Sequence, residues 1–158
     1  MSTVHQRMQR TIRMYKDKTG KKEIDMKEVA KWAVAQGWPL PKPASPVDLL
    51  AHEFSQAARE EIRKDAETGH PYRVNHVVKI SRRGEQLSFW VDIDEAPRKH
   101  MHKSLMLRRE QMIGDGLQLT LDAEHWNRIH PTEQPIQIPL DFYDDVQWRK
   151  NSPKQKAS

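Results

Sequence analysis

The chain has 158 residues, the size of one domain, with 36% of them hydrophobic and 31% charged. A net charge of +5 is too small to enforce disorder, and five tryptophans speak for a packed core. No apolar run is long enough to cross a bilayer and the amino terminus lacks a signal-like stretch, so a soluble cytoplasmic protein without membrane contact is expected; zero cysteines exclude disulfides, thiolate nucleophiles and thiolate metal sites.

The charge is uneven. Residues 1–31 carry a net +5 and residues 149–158 a net +4, while 32–148 carry a net −4. Basic ends on a mildly acidic body suit a polyanion such as DNA or RNA, and they also suit plain solubility.

Val4, Met8, Ile12 and Tyr15 recur at helical spacing, which predicts a basic helix over 4–16 with Arg7, Arg10 and Arg13 on a neighbouring stripe. A Lys-rich turn containing Lys21 and Lys22 follows. Asp25 predicts a helix start, with Glu28 reaching back to complete a capping box and Gly37 as the stop. The proline-rich stretch 38–45 reads as a stiff linker. Ser45-Pro46 opens a long helix to about Glu67, its buried side marked by Val47, Leu50, Phe54, Ala57, Ala58 and Ile62.

From Tyr72 the apolar period changes to two. Val74, His76, Val78 and Ile80, then Leu87, Phe89, Val91 and Ile93, predict a β-hairpin with Arg82 and Arg83 at its tip. Pro97 opens a basic helix to about Ile113, ended by Gly114-Asp115-Gly116. Alternation at Leu117, Leu119 and Leu121 predicts a third strand, and Asp122 caps a brief helix to Ile129. Ile136, Ile138, Leu140 and Phe142 predict a fourth strand, held to a sheet edge by Pro139. The expected architecture is therefore α+β: N-terminal helices, then a four-stranded, mostly antiparallel sheet with a β-hairpin and a packed basic helix. It forms a single domain over 1–148 with a basic flexible tail at 149–158.

Three helices before a hairpin invite comparison with a winged helix-turn-helix, but the linker is too long and helix 46–67 carries a net −3, a poor major-groove reader. Another surface is needed. Arg82 and Arg83, with Arg98, Lys99, Lys103, Arg108 and Arg109 on the following helix, form one candidate phosphate-binding surface; Arg7, Arg10, Arg13, Lys21 and Lys22 form a second. Trp90 falls on the polar side of its strand beside Arg73, Asn75 and Lys79, where it can stack a base or ligand.

Asp92, Asp94 and Glu95 close a strand, followed by His100 and His102. Such carboxylates can hold a divalent cation for phosphodiester hydrolysis, or they can simply cap the next helix. His125, Asn127 and His130 are a weaker set, and His76 shares the apolar face. Ser88 and Ser104 have no nucleophile elbow, and no phosphate-cradling glycine loop occurs.

The leading expectation is a non-enzymatic, nucleic-acid-associated regulatory or accessory module without cofactor or resident metal. The first alternative is a protein–protein or scaffold subunit forming a homodimer or a complex with another protein, through 136–142 and the surroundings of Trp126 and Trp148. The second is a metal-dependent phosphodiesterase.

Overall fold

Thr3 starts the first element by a reciprocal capping box: its hydroxyl accepts from the Gln6 N–H, and the Gln6 side chain accepts from the Thr3 N–H. Helix α1 (Val4–Thr19) then runs to Gly20, whose φ of 68° supplies the left-handed turn, with Lys16 and Lys18 at the negative end of the dipole. Asp25 caps α2 (Met26–Ala35) through the Lys27 N–H, as expected. Glu28 does not complete that cap. Its carboxylate instead accepts from the Tyr15 hydroxyl and the Lys21 ammonium, at 3.1 and 3.0 Å.

The computed structural model describes residues 1–152, and these divide into two compact units, Met1–Pro46 and the part beginning at Val47. In the first unit Tyr15, Val29 and Ala33 are buried, with Trp32 edge-on to Tyr15 at 5.8 Å. Trp38 to Pro41 line an apolar groove of about 250 Å³ with Met8, Ile12 and Val34.

In the second unit, α3 (Pro46–Glu60) is shorter than its apolar period suggests. The Asn75 side chain donates to the Ala58 carbonyl, and the Val74 N–H donates to the Glu61 carbonyl, so acceptors near the helix end are satisfied from outside. Beyond that point the chain forms a small antiparallel pair, β1 (Ile62–Lys64) with β2 (Pro71–Arg73). Asp65 holds the intervening turn by accepting from the Glu67 and Thr68 N–H groups, which keeps its carboxyl below the usual range. None of the residues expected on a buried side of this helix is buried: Phe54 is 69% exposed, and of the six only Ala58 is half-covered.

The hairpin is as expected. Strands β3 (Asn75–Arg82) and β4 (Glu85–Asp92) pair antiparallel with Val78 opposite Phe89 and Val77 opposite Trp90. Positive φ at both Arg83 and Gly84 marks the two-residue turn whose twist suits a hairpin. Val74, His76 and Val78 are buried, and the His76 ring engages the Arg73 carbonyl at 3.0 Å.

The rest corrects the sequence-based architecture. The fold is α+β, with five helices and two separate two-stranded sheets among the described residues rather than one four-stranded sheet. The expected strand at 117–121 and the brief helix after Asp122 both lie inside one 32-residue helix, α4 (Arg98–Ile129). Leu117 and Leu121 are spaced for a helix as well as for a strand, and a helix satisfies its own backbone where an unpaired strand would not. Gly114 and Gly116 cost such a helix about 1 kcal/mol each, too little to break it.

The segment 136–142 is irregular. Pro139 removes a donor, and the Asn127 side chain takes the place of a neighbouring strand by bonding both the N–H and the carbonyl of Ile136. Leu140 lies over Gly116, 3.9 Å from where a Cβ would sit. Arg149 and Lys150, expected in the tail, fall in the last turn of α5 (Tyr143–Asn151); Lys154 and Lys156 lie outside the described residues. No helix among the described residues is long and apolar enough to cross a membrane.

Candidate nucleic-acid interface

The strand-end carboxylates are held by an arginine that no local pattern places there. Arg63 on β1 donates to Asp92 at 2.8 Å and to Asp94 at 2.6 Å, and the Tyr72 hydroxyl donates to Asp94 at 2.9 Å. The guanidinium holds the Asp92 carboxyl below its ordinary value of 3.8, helped by the Asp94 N–H; the same bonds push Arg63 further into its charged form. A cation already lies between these two acids, and it is protein-borne. Neither His100 nor His102 bonds to them, and among the described residues no three His, Asp or Glu converge on a metal position. The geometry is that of a clamp joining the small sheet to the hairpin.

This clamp has a pH signature. A carboxyl depressed by folding adds stability that is present above its unfolded pKa and lost as pH falls through the folded one. Wild type is therefore expected to exceed Arg63→Gln in melting temperature at pH 7, and the gap is expected to close as pH falls below 3.8, the ordinary Asp92 value. Thermal melts from pH 7 to 2.5 check it. An equal gap at both ends means that Arg63 acts through packing alone.

The predicted basic residues meet different fates. Lys21 is paired with Glu28, which raises its pKa; Arg10 donates to the Ser2 hydroxyl, Arg7 lies over Trp38 at 5.9 Å, and Arg109 pairs with Glu110 at 3.5 Å. Lys103 donates to the Lys79 carbonyl, fastening α4 to β3. Arg13, Lys22, Arg82, Arg83, Arg98 and Lys99 are exposed. Arg82 and Arg83 stand at the hairpin tip, five to six residues beyond Val77, or roughly 17–20 Å along the strand.

One groove gathers what the others scatter. It is a cavity of about 310 Å³ whose lining includes Arg59 from α3, Arg73 from β2, Lys79 from β3, Trp90 from β4 and Arg108 from α4. Hairpin pairing fixes Trp90 opposite Val77 on the face that also carries Asn75 and Lys79, while buried Ser104 and the Lys103 bond hold α4 alongside. The Arg59 guanidinium lies 5.3 Å from the Trp90 ring centroid. None of the four cations is in an ion pair among the described residues. Arg98 and Lys99 begin α4 about 9 Å further along its axis from Ser104, with no acid in that first turn.

Of these groove residues, sequence reasoning brought Trp90, Arg73 and Lys79 together by strand alternation, and placed Arg108 on a basic helix. It missed Arg59. The only sequence signal for it is the helical spacing that puts Arg59 near the C-terminal end of α3, just before the chain turns into the sheet. No protein-family model, curated protein or solved structure matches the chain.

Proposed function

We propose that this chain is a non-enzymatic, nucleic-acid-associated module that grips single-stranded DNA or RNA in the groove around Trp90. The observation that carries the reading is the convergence of four cations outside any ion pair among the described residues, Arg59, Arg73, Lys79 and Arg108, on one half-exposed tryptophan. Cations along a groove track phosphates, and an aromatic face takes an unstacked base; the combination suits a single strand, whose bases are free to turn out. Arg59 already occupies the ring face in the free protein. A base would share or displace that contact, and the freed guanidinium would lie beside the phosphate that follows. Arg63 offsets one of the two charges of Asp92 and Asp94 at the hairpin's open end, which lessens their repulsion of a polyanion.

Fluorescence anisotropy with labelled single-stranded DNA, single-stranded RNA and duplex DNA, each at low and physiological salt, tests the reading. Single strands are expected to bind more tightly than duplex, with affinity falling steeply as salt rises. No binding of any of the three at low salt rejects it. Tighter binding of duplex would reject the stacking role of Trp90.

A further inference from the structure

Helix α4 spans about 48 Å, yet Ser104 is its one buried residue. A helix apolar on several faces is ordinarily enclosed by neighbours, and a long exposed one does not persist on propensity alone. The hairpin lines one side, through Ser104 and Leu107, and the segment around Leu140 lies against Gly116 and Leu117. Between them runs a stripe at seven-residue spacing, Leu105, Met112, Leu119 and Trp126, of which Met112 borders the cavity beneath Leu140 and Phe142. The first three are each about half exposed, and Trp126 is stacked on His130 at 4.4 Å.

We propose that this stripe is a self-association surface, on which two copies of the chain pair their α4 helices antiparallel. The spacing of the stripe permits a second copy in that orientation, and the charge of the helix selects it. The stripe is symmetric about the point between Asp115 and Gly116, so a twofold axis there sets Leu105 opposite Trp126 and Met112 opposite Leu119 of the other copy. The helix is also polar end to end: residues 98–110 carry a net +4 and residues 111–129 a net −2. Antiparallel pairing lays the basic half of each copy on the acidic half of the other, whereas parallel pairing stacks like charge on like. A seven-residue repeat returns one apolar row to the shared face of two supercoiled helices, and the twofold sets the interleaved Arg109 opposite Asp122 of the other copy. From Leu105 to Trp126 the seam is about 32 Å long, enough for an interface of standard size, roughly 800 Å² per partner.

The test uses the full chain. Sedimentation velocity across micromolar concentrations is expected to give the mass of a dimer. Met112→Lys/Leu119→Lys is expected to raise the dissociation constant about thirty-fold or more, the loss of a central interface anchor, with helix content by circular dichroism unchanged. Because the chain has no native cysteine, orientation is read separately. Met112→Cys mixed with Leu119→Cys under mild oxidation is expected to give the mixed disulfide faster than either forms with itself. A monomer at every concentration overturns the proposal, as does a dimer indifferent to the lysines. Preferential Met112→Cys self-crosslinking overturns the antiparallel arrangement, whether or not the lysine variant folds.

Discussion

Val78→Asp is expected to leave the hairpin and the start of α4 unfolded at 25 °C. Val78 is 2% exposed, stands opposite Phe89 in the hairpin, and lines the contact with α4 beside Ser104 and Leu107. A carboxylate there loses its water and finds no partner, a cost of several kcal/mol. Few residues share the load. Among the described residues of the second unit only Val74, His76, Val78 and Ser104 are buried, so little other burial remains to offset the loss. The milder Val78→Ala removes two methyl groups' worth of burial and leaves a small void, and is expected to cost about 2 kcal/mol. Urea titration followed by tryptophan fluorescence measures both. A Val78→Asp midpoint equal to that of wild type would mean that this contact does not hold the unit together.

What the sequence disclosed, and what it hid, divides by the range of the interactions concerned. The hairpin was legible because alternation over 74–93 specifies both the strand period and which side chains share a face, and Arg83-Gly84 supplies a turn of the right twist. The Asp25 cap was legible for the same reason: its partner is two residues away. Helix α4 is hidden from a local reading because Leu117 and Leu121 satisfy two periods at once. What decides between them is whether a neighbouring strand is available, a tertiary fact that no local window contains. Proline at 139 and glycines at 114 and 116 read alike as punctuation, yet only the proline removes a backbone donor.

The candidate site follows the same division. Strand pairing alone puts Trp90 and Lys79 on one face, whereas Arg59 and Arg108 join them only because the end of α3 and the first half of α4 both reach that groove. The Arg63 clamp depends on partners 29 and 31 residues away, and on the chain leaving the helix after Glu60. A helical Arg63 would leave Asp92 and Asp94 without a guanidinium between them, with the Tyr72 hydroxyl still on Asp94.

The groove reading makes its strongest demand on salt dependence, because charge and stacking respond to different variables. Each phosphate neutralised on a single strand contributes roughly −0.7 to the slope of log affinity against log salt. If Arg59, Arg73, Lys79 and Arg108 each meet a phosphate, together they supply a slope of about −3, or a roughly fifty-fold loss between 50 and 200 mM salt. The fourfold alanine variant is expected to bind weakly at low salt and to lose most of that slope. Trp90→Ala behaves differently. It removes a stacking contact of about 1–3 kcal/mol, lowering affinity roughly 5- to 150-fold at every salt concentration while leaving the slope in place. Since the four cations are exposed and outside ion pairs, their removal is expected to leave the fold's melting temperature nearly unchanged, which separates lost binding from lost structure. Arg82/Arg83→Ala provides the control of like charge at the hairpin tip, where a short oligonucleotide seated at Trp90 does not reach. Equal slopes for the fourfold variant and wild type would place the phosphate contacts elsewhere on the protein. A slope that flattens in Trp90→Ala would show that the ring organises the cations and does not hold a base.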